Sequence, residues 1–309
     1  MLKNNSHAFC CRLTIQIIGS GLITVAAVYL TQPPAAVAQD DARALDTKAW
    51  GEVYATVASR IDIKPIGSDQ RAIELQPRAM LSWDNPVRIG RTEGDFFVWL
   101  QGNRPAFVGT IFSYDYPASL QVTRRVAMGF HTVNRQPATL HYQDRLLWNA
   151  PAIENEPIRL DLAAPRARRV HRLIQMRQIA AGVKASTLLD ENPQDLRLLS
   201  KPVYRFELPE SGAAESDVLD GAIFALVTGT DPELLLIVEA LPTSEGEEQF
   251  AWFVTPARFT DLPLQVAIEG VGNIEVPKTS GTKSVYFNYH GVHQLPTALG
   301  DSVAEILGD

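Results

Sequence analysis

Two nearly unbroken apolar runs, Ala222-Ile223-Phe224-Ala225-Leu226-Val227 and Leu234-Leu235-Leu236-Ile237-Val238, constrain this chain more than any other feature. Runs without polar alternation have the composition of strands covered on both faces, because a face turned to water would expose every second side chain. Gly229-Thr230-Asp231-Pro232-Glu233 joins them. So short a connection suits an antiparallel hairpin and cannot hold the dozen or so residues of a parallel crossover. The hairpin is therefore expected at the centre of a sheet that needs a cover.

The element nearest in sequence able to cover it begins after Pro165. Arg166 to Ser186 has no internal proline and one glycine, Gly182, and a plot at 100° per residue puts Val170, Leu173, Met176, Ala180 and Val183 on one stripe. Arg177 falls on the same stripe, and a guanidinium taken out of water needs a partner. Two readings stand for Arg177, and with it Arg172. One is a buried brace to a carboxylate of the facing sheet, Glu239 or Asp231 being the most apolar-embedded acids; the other is a planar fork clamping a ligand. The rest of the cluster, Arg166, Arg168, Arg169 and His171, reads as a solvated face, with an acidic partner as the sharper alternative.

Before this helix, Asp40 to Arg60 spaces Leu45, Ala49, Trp50, Val53, Tyr54 and Val57 as an amphipathic helix. From Ile61 to Pro165 the period shortens to that of strands, with a hairpin expected around Gly102-Asn103-Arg104-Pro105 and further strands over 125–133, 138–143 and 145–148. After Asn192-Pro193, strands are expected over 203–208, 222–228, 234–240, 250–259 and 264–269, then a short edge strand over 285–289 and a frayed helix over 301–307. The pattern predicts an α+β fold, a curved antiparallel sheet packed on the central helix from Arg166, with a preceding β-rich segment or lobe. The segments are 1–38, a signal peptide; 39–62, helical; 63–165, β-rich; 166–278, helix plus antiparallel sheet; and 279–309, a C-terminal tail.

The signal peptide rests on Lys3 and Arg12, the apolar run from Leu13 to Leu30, and Ala36-Val37-Ala38, an A-x-A site with cleavage expected after Ala38. An uncleaved anchor is the alternative, weakened by Gln16, Gly19, Ser20 and Gly21 within the run. Export predicts a periplasmic or secreted protein. Cys10 and Cys11, the chain's two cysteines, lie in the removed segment, so thiol nucleophiles, thiolate metal sites and disulfides are excluded from the mature chain. A net charge of −7 repels phosphate backbones, so nucleic acid is not an expected partner. The expected partner is a small ligand or an envelope protein, and a membrane only if the first segment stays attached.

The common nucleotide, hydride, zinc-protease and calcium motifs are absent, and no cofactor is expected. Ser280-Gly281-Thr282-Lys283 has the S-x-x-K spacing but no companion motif. His290-Gly291-Val292-His293 offers two imidazoles without an acid to complete a metal shell. Glu154 with Glu156, and Glu245 with Glu247 and Glu248, read as loop charge, although paired carboxylates are what a glycosidase uses. His131 lies on a strand, where a satisfied histidine competes with a pocket residue suited to proton transfer.

Trp83-Asp84-Asn85-Pro86, Gly102-Asn103-Arg104-Pro105, Phe130-His131, Arg172-Leu173-Ile174-Gln175-Met176-Arg177, Leu196-Arg197-Leu198-Leu199, Tyr204-Arg205, Asp220-Gly221-Ala222-Ile223-Phe224 and Gly229-Thr230-Asp231-Pro232-Glu233, in this order, resemble a family of uncharacterised exported proteins of planctomycete-type bacteria. The resemblance implies export and brings no activity, cofactor or catalytic residue with it. Where that family is expected to carry Glu-Phe-His-Ser, this chain has Gly129-Phe130-His131-Thr132. The candidate groove or buried ion pair is thus Arg172, Arg177, His131, Tyr204, Asp231 and Glu239, in a binding or structural module. A hydrolase using carboxylates or a serine is the alternative.

Overall fold

The computed structural model describes residues 35–309 apart from 69, 89, 118–122, 154–155, 190–191, 207–217, 244–248, 277–283, 297–298, 300–306 and 308–309. The apolar run of the expected signal peptide, Ser280 with Lys283, Glu154, and the Glu245, Glu247, Glu248 group lie outside the described residues. Two compact units divide the chain, Met1–Ala42 and Arg43–Asp309; of the first, the described part is the opening of helix α1 (Ala35–Ser59), where Ala36-Val37-Ala38 falls. The second unit carries the rest.

Strands β1 (Ile61–Pro65), β2 (Ile73–Leu75), β3 (Leu81–Asp84), β4 (Thr92–Gln101), β5 (Arg104–Tyr116), β6 (Thr123–Thr132), β7 (Ala138–Tyr142) and β8 (Arg145–Ala150) follow α1. Next come β9 (Ile158–Arg159), helix α2 (Arg169–Ala181), β10 (Val183–Leu189), β11 (Asn192–Asp195), β12 (Arg197–Leu198) and β13 (Tyr204–Arg205). The chain continues with β14 (Asp220–Thr228), β15 (Asp231–Pro242), β16 (Phe250–Arg258), β17 (Leu264–Ile268), β18 (Gly272–Ile274) and β19 (Tyr286–Pro296).

The first sheet runs β19-β6-β5-β4-β2-β1-β7-β8, with β3 also on β4. Its two ends meet through side chains. Phe287 of β19 stacks on Trp148 of β8 at 5.4 Å, and the Tyr142 hydroxyl lies 2.8 Å from His293 Nε2. The sheet is therefore rolled nearly closed, and α1 fills the roll. Trp50, Val53, Tyr54, Val57 and Ala58, one face of α1, share a buried cluster with Phe97, Trp99, Phe107, Met128, Phe130, Leu140 and Trp148. The alternate residues of β4, Phe96, Val98 and Leu100, point the other way and join Ile223, Ala225, Val227, Leu235 and Ile237 of the second sheet. β4 is thus apolar on both faces because each faces a different core.

The second sheet, β12-β14-β15-β16-β9 with β13 on β14, has the predicted hairpin at its centre. Its far face, including Ala222, Phe224, Leu226, Leu234, Leu236 and Val238, packs with Met176, Ile179 and Ala180 of α2 and with Val183, Ala185, Val266 and Ile268 of a small third sheet, β11-β10-β17-β18.

The fold is mostly β with a nearly closed barrel-like sheet, which corrects the α+β expectation of a curved sheet on a central helix from Arg166. The physical reason is the length and face of α2. The helix stops at Gly182 and the chain continues at once as β10, so its apolar contribution is Met176, Ile179 and Ala180 with half-buried Leu173, and the third sheet supplies the remaining cover. Val170, in the first turn, is 58% exposed.

Close strand approach makes one position intolerant. A Cβ on Gly94, which pairs with Phe112 across β4 and β5, would lie 2.5 Å from the Phe112 Cβ and 2.6 Å from the Ile111 carbonyl oxygen. Backbone cannot swing aside as a side-chain tip can. Gly94→Ala is expected to cost about 3 kcal/mol, read from urea unfolding midpoints; a cost under about 0.5 kcal/mol would mean the strands separate freely.

Candidate functional site

The turn between β14 and β15 is tighter than the sequence reading, because Thr228 already faces Asp231 across the ladder. Gly229 (φ +63°) and Thr230 alone make the reversal, a left-handed position that glycine occupies without strain. Asp231, Pro232 and Glu233 belong to the strand. The register then slips, Val227 facing Pro232 and Leu226 facing Leu234, so Glu233 is the extra residue of a β-bulge. Bulges re-aim side chains, and here both Asp231 and Glu233 line one cleft.

The turn is clasped to the end of β3. The Thr230 amide donates to the Asp84 carbonyl at 3.2 Å, and the Asp84 amide donates to the Thr230 hydroxyl at 2.8 Å. This clasp brings Asn85 to the carboxylate, its Nδ2 donating to Asp231 Oδ2 at 2.8 Å, and hangs Arg88 over the pair. Arg88 Nη2 lies 3.9 Å from Asp231 Oδ2 and 3.8 Å from Glu233 Oε1, too far for hydrogen bonds. The cleft is about 500 Å³. Trp83, Phe112, Phe259, Tyr286 and His290 give it aromatic walls, and Asp261 adds a third acid.

Burial raises the Asp231 carboxyl to about 7, with the charge of Glu233 adding to the rise and Asn85 and Arg88 opposing it. Burial also raises Glu233, against hydrogen bonding from Thr260, the charge of Arg88 and hydrogen bonding from Thr228. Two buried carboxylates in one site do not both ionise freely, so the pair holds a proton near neutrality. Burial lowers His290, whose ring meets Phe112 and Tyr114 edge to face at 5.9 and 5.7 Å.

No family model, curated protein or solved structure matches the chain. Its chemistry is therefore read from its own residues.

The structure disperses the predicted group. Asp231 lies in the cleft. His131 is buried in the layer between the two large sheets, opposite Tyr286 of β19, with Nδ1–H donating to the Thr132 carbonyl at 2.6 Å. Glu239, further along β15, accepts from Arg104 Nη2 at 2.6 Å beside a cavity of about 30 Å³, room for a water and no more. Tyr204 is buried, its ring 6.2 Å from Phe206.

Arg177 corrects the brace expectation: it is exposed on α2, and the buried guanidinium is Arg172. Without Val170 in the interface, the buried face of α2 turns toward Arg172, Met176 and Ile179. The partner of Arg172 is Asp220, with Nε to Oδ2 at 2.8 Å, rather than Glu239 or Asp231. Its Nη1 donates to the Arg166 and Ala167 carbonyls, and Arg205 donates to the same carboxylate at 2.8 Å. Donors so fully used describe a brace between α2 and β14. His290 and His293 sit on β19, and among the described residues no group of three His, Cys, Asp or Glu is placed to hold a metal.

Asn85, Arg88, Glu233, Asp261 and Tyr286 were not singled out by sequence reasoning. The available signal was Asp231-Pro232-Glu233 itself, two acids wedged between apolar runs.

Proposed function

We propose that this chain is an exported binding module that takes a small polar ligand in the cleft between the β3–β4 loop, the β14–β15 turn and β19. The observation that carries the reading is a buried pair of carboxylates, Asp231 and Glu233, on the floor of a roomy, aromatic-walled cleft. Burying two acids costs stability, and a site that keeps them is more readily understood as recognition than as packing. Export rests on the amino-terminal signal pattern; among the described residues no helix is long and apolar enough to cross a membrane.

The test is a thermal-shift panel of sugars, dicarboxylates, alkylammonium salts and short peptides on the purified chain. A ligand at a hundred times its Kd adds about 2.7 kcal/mol, enough to raise Tm by roughly 5 °C or more in a domain of this size. Asp231→Asn keeps the shape and removes the charge, and is expected to abolish the rise. A panel with no hit, or a rise unchanged in the variant, overturns the reading.

A second reading has its own support. Asp231, holding a proton near pH 7, and Glu233, buried in the same cleft, are the acid and base a hydrolase needs. Turnover of chromogenic glycosides or esters, lost in both Asp231→Asn and Glu233→Gln, would replace the binding reading by this one.

A further inference from the structure

We infer that the ligand of this cleft carries an ammonium or guanidinium group, and that this group seats against Asp231 and Glu233 in the place now spanned loosely by the Arg88 guanidinium. The inference rests on the cleft being the ligand site.

Charge is the first argument. The two carboxylates are 8% and 2% exposed, yet the cation reaching both is a half-exposed arginine at 3.8 and 3.9 Å, which makes an ion pair without a hydrogen bond to either. Arg258, the guanidinium of β16, is turned to the carbonyls of Thr260, Leu262 and Val276. The floor thus selects positive charge and satisfies it incompletely. An anionic ligand would meet Asp231, Glu233 and Asp261 together.

The walls make the second argument. Trp83, Phe112, Phe259 and Tyr286 present ring faces and edges to the same space, and aromatic rings over a carboxylate floor form the environment in which a partly desolvated cation gains most. The third is a tyrosine oxygen. The Tyr286 side chain lines the cleft at 6% exposure. An ammonium has three N–H donors, one for each carboxylate and one for this oxygen. A divalent metal is a poorer fit, because among the described residues neither Asp261 nor His290, although both line the cleft, joins the pair in a group able to hold one.

Seating a cation on the pair displaces the proton it shares, so affinity must rise with pH. The charged and titratable groups facing the pair are Arg88 from the β3–β4 loop, Asp261 from the loop after β16, and Tyr286 and His290 from β19. In the pair, burial raises Asp231 to about 7 and raises Glu233 as well, while burial lowers His290 and raises Tyr286, so His290 loses its charge below neutrality and Tyr286 keeps its proton. The acid pair is then the titration that governs binding between pH 6 and 8.

The experiment is calorimetric titration of the full chain with n-butylammonium and agmatine, and with 1-butanol and glucose as neutral probes. The cations are expected to bind about tenfold tighter at pH 8 than at pH 6, since deprotonating a group with a pKa near 7 changes its ionised fraction by about that factor. Arg88→Gln removes the internal competitor and should tighten cation binding at least threefold. Asp231→Asn should weaken it at least tenfold at pH 8 and flatten the pH dependence. That variant is expected to fold, since it replaces a carboxylate whose ionisation opposes folding. Binding of glucose or 1-butanol without the cations overturns this inference and leaves the cleft as a ligand site. Binding of none of the four, with no hit in the wider panel, overturns both. Cation binding indifferent to Asp231→Asn places the cation elsewhere and overturns the inference as well.

Discussion

Replacing Arg124 by alanine is expected to lower the unfolding free energy by about 3–5 kcal/mol, the cost of leaving buried carboxylates without their cation. Arg124, on β6, is fully buried. Its Nη1 donates to Glu93 Oε1 at 2.8 Å, Nη2 donates to the Ser113 carbonyl at 3.1 Å, and Nε faces Asp115 Oδ1 at 3.8 Å. The guanidinium also lies over the Trp50 ring, 4.6 Å from its centroid, so the same group that balances β4 and β5 holds α1 inside the rolled sheet. Tyr54 adds to this seam through its hydroxyl, 2.6 Å from Ser113 Oγ. Arg91 pairs with Glu93 and with Asp46 of α1, so Glu93 keeps one cation in the variant while Asp115 loses its ion pair with Arg124.

A surface pair supplies the contrast that decides whether burial or charge count matters. Lys64 and Asp62 approach to 3.0 Å, closer than Arg124 and Asp115, but both side chains are 60% exposed, and Lys64→Ala should cost under about 1 kcal/mol. Thermal or urea unfolding of the two variants side by side is the measurement. In a chain of this length the Arg124 loss corresponds to a fall in Tm of roughly 10 °C. Similar small losses in both would mean that the buried network is dispensable and that α1 is held by packing alone. Adding Asp115→Asn to Arg124→Ala should recover part of the loss, because it removes the stranded charge rather than any contact.

The β14–β15 hairpin was legible because its apolar runs have a single solution, a strand covered twice. Helix α1 was legible because Trp50, Val53, Tyr54 and Val57 repeat at helical spacing. What α1 covers was not. Phe96-Phe97-Val98-Trp99-Leu100 is apolar at every position, so the run says that both faces are buried without saying by what, and the helix that fills the roll carries no mark distinguishing it from the one nearer in sequence. The misplacement of Arg177 has a similar origin. Plotting Arg166 to Ser186 as one helix lets Val170 and Val183 define the stripe, whereas Val183 opens a strand and Val170 meets solvent. The site was half legible. Asp231 stood out as an acid between apolar runs, but its partner Asn85 is 146 residues away and reaches it only because Thr230 is clasped to Asp84. Spacing along a chain carries no record of such a contact.

Acid stability gives the second large effect, through two buried groups that pull in opposite directions. Burial lowers His131 from 6.5 to about 4, only partly opposed by the hydrogen bond to the Thr132 carbonyl, and the charge of Arg258 lowers it further. Between those values the unfolded chain binds a proton that the folded chain refuses, so this contribution is complete above pH 6.5 and is lost as pH falls to 4. A gap of about 2.5 pH units at 1.36 kcal/mol each makes the loss roughly 3 kcal/mol. Asp231 runs the other way. Its carboxyl rises from 3.8 to about 7, so over that window the folded chain keeps a proton the unfolded chain has released, and stability falls as pH rises. From pH 4 to 6.5 the two slopes oppose each other in the native protein. Single substitutions uncover them. His131→Asn retains an N–H for the Thr132 carbonyl, and its stability relative to the native chain should improve by about 3 kcal/mol on going from pH 7 to pH 4. Asp231→Asn should shift by a similar amount in the opposite sense, becoming the acid-labile variant. Urea midpoints at pH 7, 5.5 and 4, taken as differences from the native chain, isolate each group, because titrations distant from the substitution cancel in the difference. A His131→Asn difference that is constant with pH would mean that the imidazole is protonated inside the fold, and the layer between the two large sheets where it is buried would have to be open to solvent.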